Sequence, residues 1–117
     1  MDQDEFTDRL ARIRQRFADA LPAKIDDSFA MLPQLSCTDA DAIEALVVTH
    51  RKLHEMCGIA PTIGFPAVGK AARAAETVLR GPAKSRRPLT AGEAAMLRAE
   101  LTDLRQAAQA ELAAATM

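Results

Sequence analysis

The stretch ADAIEALVVTHRKLHEMCGIAPTI, residues 40–63, decides the fold. Its apolar positions recur at spacings of 3, 4, 3, 4 and 3, which is typical of a helix packed in a bundle; they are Leu46, Thr49, Leu53, Met56, Ala60 and Ile63. Thr38, with Asp41 three residues later, resembles a capping box and predicts where this helix starts. Gly64 predicts its end, and Pro66 predicts the start of the next helix.

Apolar periodicity on both sides of this segment predicts further helices. A first helix begins at Asp4 and ends at Leu21-Pro22, because proline disfavours helical backbone at the residue before it. A second helix continues from there to near Pro33. After the central helix, an alanine-rich helix is expected to end at Gly81-Pro82, where a basic loop follows.

The last helix begins at a capping box formed by Thr90 and Glu93, and its apolar positions again recur at helical spacing. Short connections make sequential helices antiparallel neighbours. We therefore expect an all-α fold, an antiparallel up-down four-helix bundle with an additional N-terminal helix packed across it. This bundle is expected to form a single domain over residues 1–117.

The composition agrees with an all-α fold and disfavours several function classes. Alanine is abundant, while tryptophan and tyrosine are absent, so there is no aromatic platform for nucleic-acid bases. The 15 Lys+Arg and 16 Asp+Glu give a net charge of −1, which argues against binding to nucleic acid. No apolar run approaches the ~18 residues of a membrane span, and the acidic start is unlike a signal peptide. We expect a cytoplasmic monomer without nucleic-acid or membrane partners.

Both histidines and one of the two cysteines lie within eight residues of the central helix. Rotation by 100° per residue places His54 on the solvent side, His50 at the boundary of the apolar seam, and Cys57 partly inside it. Gly58, one turn after His54, also faces solvent. Because glycine in a helix costs about 1 kcal/mol relative to alanine, we interpret Gly58 as a point of close approach by a partner or as space for the side chain at position 54.

The run from His54 to Phe65 resembles the motif of the histidine phosphotransfer (HPt) domains of bacterial two-component phosphorelays. The matching residues are His54, Met56, Gly58, Ala60, Gly64 and Phe65. In that family the histidine accepts a phosphoryl group from a receiver-domain aspartate or a histidine kinase and passes it to another receiver. The resemblance implies that His54 is the phosphoryl carrier, and that receiver domains and a hybrid histidine kinase are the partners. It also implies no kinase activity and no cofactor in this chain, since Mg²⁺ is expected on the receiver.

The resemblance assigns supporting roles to charged residues near His54. HPt domains usually have lysine three residues after the histidine, where this sequence has Cys57. Arg51, one turn before His54, is a candidate substitute for that charge. A cationic stripe on the next helix is expected to border the site, and its members recur at helical spacing: Lys70, Arg73, Thr77 and Arg80.

Glu76 matches a position at which some HPt domains have a carboxylate that orients the histidine. A hydrogen bond from one ring nitrogen of His54 would fix the tautomer and leave the other nitrogen as the nucleophile. Neutral imidazole is an available nucleophile near pH 7.

Three alternatives remain open from the residues alone. The chain could be a docking module that binds receivers without phosphotransfer, because Cys57 replaces the usual lysine. His50, His54 and Cys57 are metal-ligand types on one side of a helix, so a zinc site is a second alternative. Cys37 and Cys57 could form a redox pair, although the sequence contains no Cys-x-x-Cys motif.

Overall fold

In the computed structural model, which describes residues 2–115, the chain forms four α-helices and two short 3₁₀ helices and no strand. The α-helices are α1 (Gln3–Met31), α2 (Ala40–Ile59), α3 (Pro66–Ser85) and α4 (Ala91–Ala115), and the 3₁₀ helices are Gln34–Ser36 and Ala60–Ile63. The prediction of an all-α fold is confirmed. Of the predicted domain, Met1, Thr116 and Met117 lie outside the described residues.

The break predicted at Leu21-Pro22 is wrong, because α1 continues through Pro22 to Met31. A proline inside a helix removes one backbone hydrogen bond and crowds the preceding turn, at a cost of about 3 kcal/mol. Leu21 is fully buried and Ile25 is 2% exposed, so burial on both sides of Pro22 offsets this cost. The expected N-terminal helix and the helix after it are therefore one helix, and the described residues form four α-helices rather than five.

The end predicted for α3 at Gly81-Pro82 is also wrong. The helix runs one turn further, to Ser85, with Pro82 buried inside it. It ends at Arg86, which has the left-handed backbone conformation (φ 49°) that commonly terminates helices. The connection to α4 is correspondingly shorter than the predicted loop.

The ends of α2 agree more closely with the sequence. The N-cap residue is Asp39 rather than Thr38, and its carboxylate accepts a hydrogen bond from the backbone N–H of Ala42 at 3.3 Å. At the other end the α-helix changes to a 3₁₀ turn around Pro61, which has no N–H to donate. The turn stops where predicted, at Gly64, whose φ of 97° is readily adopted by glycine.

The helices are packed in the order α2, α3, α4 and α1, and α1 makes only light contact with α2. Consecutive helices run antiparallel. Glu44, near the start of α2, pairs with Arg86 at the end of α3. Glu111, near the end of α4, accepts a hydrogen bond from the backbone N–H of Val68 at the start of α3. The described residues thus form a helical bundle, and none of their helices is long and apolar enough to cross a membrane.

The predicted seam of the central helix is confirmed, because all of its members are buried: Leu46, Thr49, Leu53, Met56, Ala60 and Ile63. In α4 the predicted apolar positions Leu97, Leu101, Leu104 and Ala108 are buried, and Ala94 is half-buried. Phe65 adds the largest fully buried side chain and stacks on Phe17 of α1 at 5.6 Å between ring centroids. This packing fixes how α2 is rotated and therefore which of its residues face α3 or solvent.

The packing of Pro61 on α3 generates a stability prediction. A Cβ at Gly69 would lie 2.5 Å from Cγ and 2.7 Å from Cδ of the rigid Pro61 ring, so Gly69→Ala should lower the free energy of unfolding by about 1–3 kcal/mol. At Gly81 a Cβ meets nothing within 4 Å in the described residues, so Gly81→Ala should raise it by about 0.5–1 kcal/mol. Chemical denaturation of both variants and of the wild type measures these two changes in the free energy of unfolding. Equal stability of the two variants would contradict the close contact.

Candidate functional site

His54 lies on the exposed side of α2. Its side chain is 67% exposed, whereas that of His50, one turn earlier, is 23% exposed. Cys57, one turn later, is buried. These exposures follow the order predicted from helical rotation, because the buried seam sets the orientation of α2 about its axis.

The carboxylate of Glu76 on α3 lies beside both histidines and is only 2% exposed. Its Oε1 atom is 3.0 Å from Nε2 of His50 and 3.3 Å from Nδ1 of His54. Arg80, one turn later on α3, donates from Nη2 to Oε2 at 2.6 Å and from Nε to Oε1 at 3.3 Å. This buried carboxylate therefore has four nitrogen contacts, two from histidines across to α2 and two from Arg80 within α3.

Glu76 is ionised at neutral pH. The hydrogen bond from Arg80 is the main cause that lowers the pKa of this carboxyl from its usual 4.5 to about 2, against the opposing effect of burial. Hydrogen bonds from His50 and His54 lower the pKa further, as does the charge of Arg80. A buried charge is tolerated where it is paired and hydrogen-bonded, as this one is.

The ionised carboxylate determines the tautomers of both histidines. A carboxylate only accepts hydrogen bonds, so each ring nitrogen that faces Oε1 must carry a proton. We therefore assign His50 a proton on Nε2 and His54 a proton on Nδ1. In the neutral form of His54, Nε2 is then left with a free lone pair on an exposed ring.

Gly58 is exposed on α2, one turn after His54. A Cβ at Gly58 would meet no other part of residues 2–115 within 4 Å beyond its own helix backbone, so the fold itself does not require glycine there. The neighbouring Ile59 is 47% exposed and, with Phe17 and Met56, lines a cavity of about 370 Å³. That cavity lies on the α1 side of α2, so the space beside His54 is the open Cβ position of Gly58, one turn away.

The other predicted site residues are distributed over several surfaces. Arg51 is exposed one turn before His54, and Arg73 is exposed one turn before Glu76. Lys70 instead lines a cavity between α3 and α4, together with Glu100 and Asp103 on α4. The structure therefore does not bring Lys70 to the border of the histidine site.

Two contributors to the site were given other roles in the sequence analysis. Arg80 was placed only in the cationic stripe, although its position four residues after Glu76 is a common spacing for an ion pair within a helix. His50 was placed at the boundary of the seam, and its i, i+4 relation to His54 is the feature that brings both rings to one partner.

The cysteines do not contribute to a metal or redox cluster in the part of the chain described. Cys57 is buried and its thiol donates to the backbone carbonyl of His54 at 3.1 Å. Cys37 is an exposed free thiol, and Cys57 is free as well. Residues 2–115 contain no group of three or more His, Cys, Asp or Glu side chains arranged to hold a metal ion.

The ionised, buried Glu76 generates a prediction for stability at acidic pH. Because its folded pKa is lowered to about 2, its contribution is complete above about pH 4.5 and is lost as the pH falls through about 2. Glu76→Gln should lower the free energy of unfolding at pH 7 by about 1–3 kcal/mol and should weaken its decline between pH 4.5 and 2.

Denaturation curves at a series of pH values check this prediction. Glu44→Gln is the matched control, since Glu44 forms an exposed pair with Arg86 and should contribute less than about 1 kcal/mol. Glu93, whose pKa Arg87 likewise lowers to about 2, titrates in the same range in every variant. Parallel pH profiles for the wild type and Glu76→Gln would contradict an ionised carboxylate in the bundle.

Comparison of the chain with protein-family models, with curated proteins and with solved structures finds no match. Function is therefore inferred from the geometry of this site together with the motif in the sequence.

Proposed function

We propose that this chain is an HPt-like phosphorelay intermediate in which His54 carries the phosphoryl group. It would accept the group from a phospho-aspartyl receiver domain or a histidine kinase and pass it to the aspartate of a response regulator. The observation that carries this proposal is the contact of 3.3 Å between Nδ1 of the exposed His54 and the buried carboxylate of Glu76. This contact leaves Nε2 of His54 as a nucleophile directed away from its own protein partner.

The transfer step needs little from this chain beyond that nitrogen. The Nε2 lone pair of His54 attacks phosphorus, a P–N bond forms, and the bond between phosphorus and the aspartyl oxygen breaks, releasing the receiver carboxylate. The proton on Nδ1 stays in place throughout. The reverse step forms the acyl phosphate on the next receiver and returns the lone pair to Nε2. Phosphoryl transfer depends mainly on positioning and charge neutralisation, and the receiver would supply its own metal ion.

Glu76 supports this step electrostatically. As Nε2 bonds to phosphorus, positive charge develops on the imidazole ring, and the carboxylate that accepts the hydrogen bond from Nδ1 stabilises that charge. Arg80 holds the carboxylate ionised and in place through its two contacts. Because the carboxylate is buried and its orientation is set before reaction, this stabilisation requires little rearrangement.

The surface around Gly58 supports docking of a receiver. Gly58 is exposed and its Cβ position is open, while Ile59 contributes exposed apolar surface beside it. A partner lying over this part of α2 would reach Nε2 of His54 from solvent. The helical bundle, with the histidine exposed on a central helix and an acceptor on the next helix, is compatible with the arrangement expected of an HPt domain.

A second candidate function is a docking module that binds receivers without accepting the phosphoryl group. The observation that favours it is Cys57, a buried free thiol at the position where HPt domains usually have lysine. Arg51 is an exposed cation one turn before His54, so it is the candidate for neutralising phosphohistidine. The two functions differ in whether His54 becomes covalently modified.

Substitution of each histidine separates the two functions. A receiver domain phosphorylated with acetyl phosphate and Mg²⁺ is mixed with the wild type, His54→Gln or His50→Gln, and intact mass is measured at alkaline pH. We expect one acid-labile phosphoryl group on the wild type and His50→Gln and none on His54→Gln, because only His54 presents a free, exposed ring nitrogen. Receiver binding without any mass addition would instead establish the docking module.

Substitution at Gly58 tests the docking surface. Gly58→Gln should slow transfer from the receiver about tenfold or more, because the added side chain occupies the space needed by the partner, while the fold should be at least as stable as the wild type. Gly81→Gln is the matched control, since Gly81 is also an exposed helical glycine with open space at Cβ. Single-turnover transfer and thermal unfolding are measured for both. Equal transfer rates for the two variants would refute the proposed docking surface.

A further inference from the structure

We propose that His50 is a positioning residue that orients Glu76 and thereby holds His54 in the tautomer with the proton on Nδ1. The consequence for phosphotransfer rests on the proposed function of His54. The effect on the tautomer does not, because it is a property of the protein without any partner.

The contacts on Oε1 of Glu76 single out His50. Three nitrogen atoms approach this oxygen: Nε2 of His50 at 3.0 Å, Nδ1 of His54 at 3.3 Å and Nε of Arg80 at 3.3 Å. His50 makes the shortest contact and, at 23%, is the least exposed of the three donors. The side chains of His54 and Arg80 are 67% and 57% exposed.

Two anchors are needed to fix the plane of the carboxylate. Arg80 holds the other oxygen, Oε2, through its contact of 2.6 Å. Without His50, Oε1 would be held only by two longer contacts from exposed side chains, and the carboxylate could rotate towards the guanidinium of Arg80. The half-buried Nε2–H of His50 opposes this rotation and keeps Oε1 directed at Nδ1 of His54.

His50 also contacts the reacting histidine through its ring. The two imidazoles stack with centroids 6.2 Å apart and an interplanar angle of 27°. A purely steric role would require only this ring, whereas the proposed role requires the N–H donor. Two substitutions separate these roles: Phe keeps a ring without a donor, and Gln keeps a donor without a ring.

The experiment measures the tautomer of His54 directly. Protein labelled with ¹⁵N in the histidine rings is examined by long-range ¹H–¹⁵N correlation spectra at neutral pH, for the wild type, His50→Gln and His50→Phe. We expect His54 to be protonated on Nδ1 in the wild type and in His50→Gln, because the Gln amide can donate to Oε1 in place of the imidazole. His50→Phe should show a mixture of both His54 tautomers.

A second readout is the rate at which phosphoramidate, a small donor that requires no receiver, phosphorylates His54. His50→Phe should be about 3- to 10-fold slower than the wild type, and His50→Gln should be within about twofold, as expected for loss or retention of one orienting hydrogen bond. Circular dichroism confirms that each variant is folded, and His50→Leu replaces His50→Phe if the latter does not fold.

Two results would overturn the proposal. If His50→Phe leaves the His54 tautomer and rate unchanged, His50 is only a packing residue. If His50→Gln shifts both as much as His50→Phe, donation of a hydrogen bond from position 50 is not what sets the His54 tautomer. Failure of the proposed function would look different. No receiver would then transfer a phosphoryl group to the wild type, but the spectra would still show whether His50 sets the tautomer of His54.

Discussion

The site depends on one buried carboxylate, that of Glu76, which accepts from nitrogens on both α2 and α3. Removing an ionised group from water is costly unless hydrogen bonds compensate, and here four nitrogen contacts do so. The same contacts give the carboxylate a chemical effect, because an acceptor without a proton dictates which nitrogen of His54 is protonated. The hydrogen bonds on Glu76 therefore have two consequences. They stabilise a buried charge in the bundle, and they determine the reactive nitrogen of an exposed imidazole.

This interaction requires close and well-registered packing of α2 against α3. The buried seam of α2 sets its rotation, so that His50 and His54, four residues apart, both face Glu76. The axial register is supported at the end of α2, where the ring of Pro61 occupies the space that a side chain at Gly69 would need. Rotation of α2 would move both histidines away from the carboxylate, and a shift by one turn would remove at least one of them, so either change would leave a buried charge with fewer partners.

Much of this arrangement could be predicted from periodicity, and the exceptions have physical causes. The exposure of His54 followed from helical rotation because a bundle seam leaves one orientation for the helix. Pro22 and Pro82 were read as helix ends because the rule for proline is local, whereas burial of their surroundings offsets its cost. The partners of the site were harder to predict. Lys70 and Arg80 lie on the same predicted stripe, and only the rotation and register of α3 against its neighbours show that Arg80 reaches Glu76 while Lys70 faces α4.

The central claim is that Glu76 reserves Nε2 of His54 for the phosphoryl group. It is tested most directly by identifying the modified nitrogen in protein labelled with ¹⁵N in its histidine rings and phosphorylated by a receiver domain, from the coupling between ³¹P and ¹⁵N. The account predicts a single phosphohistidine at His54 with phosphorus on Nε2 and the proton retained on Nδ1. Phosphorus on Nδ1 of His54 or on His50 would contradict it, as would a receiver that binds and leaves both histidines unmodified.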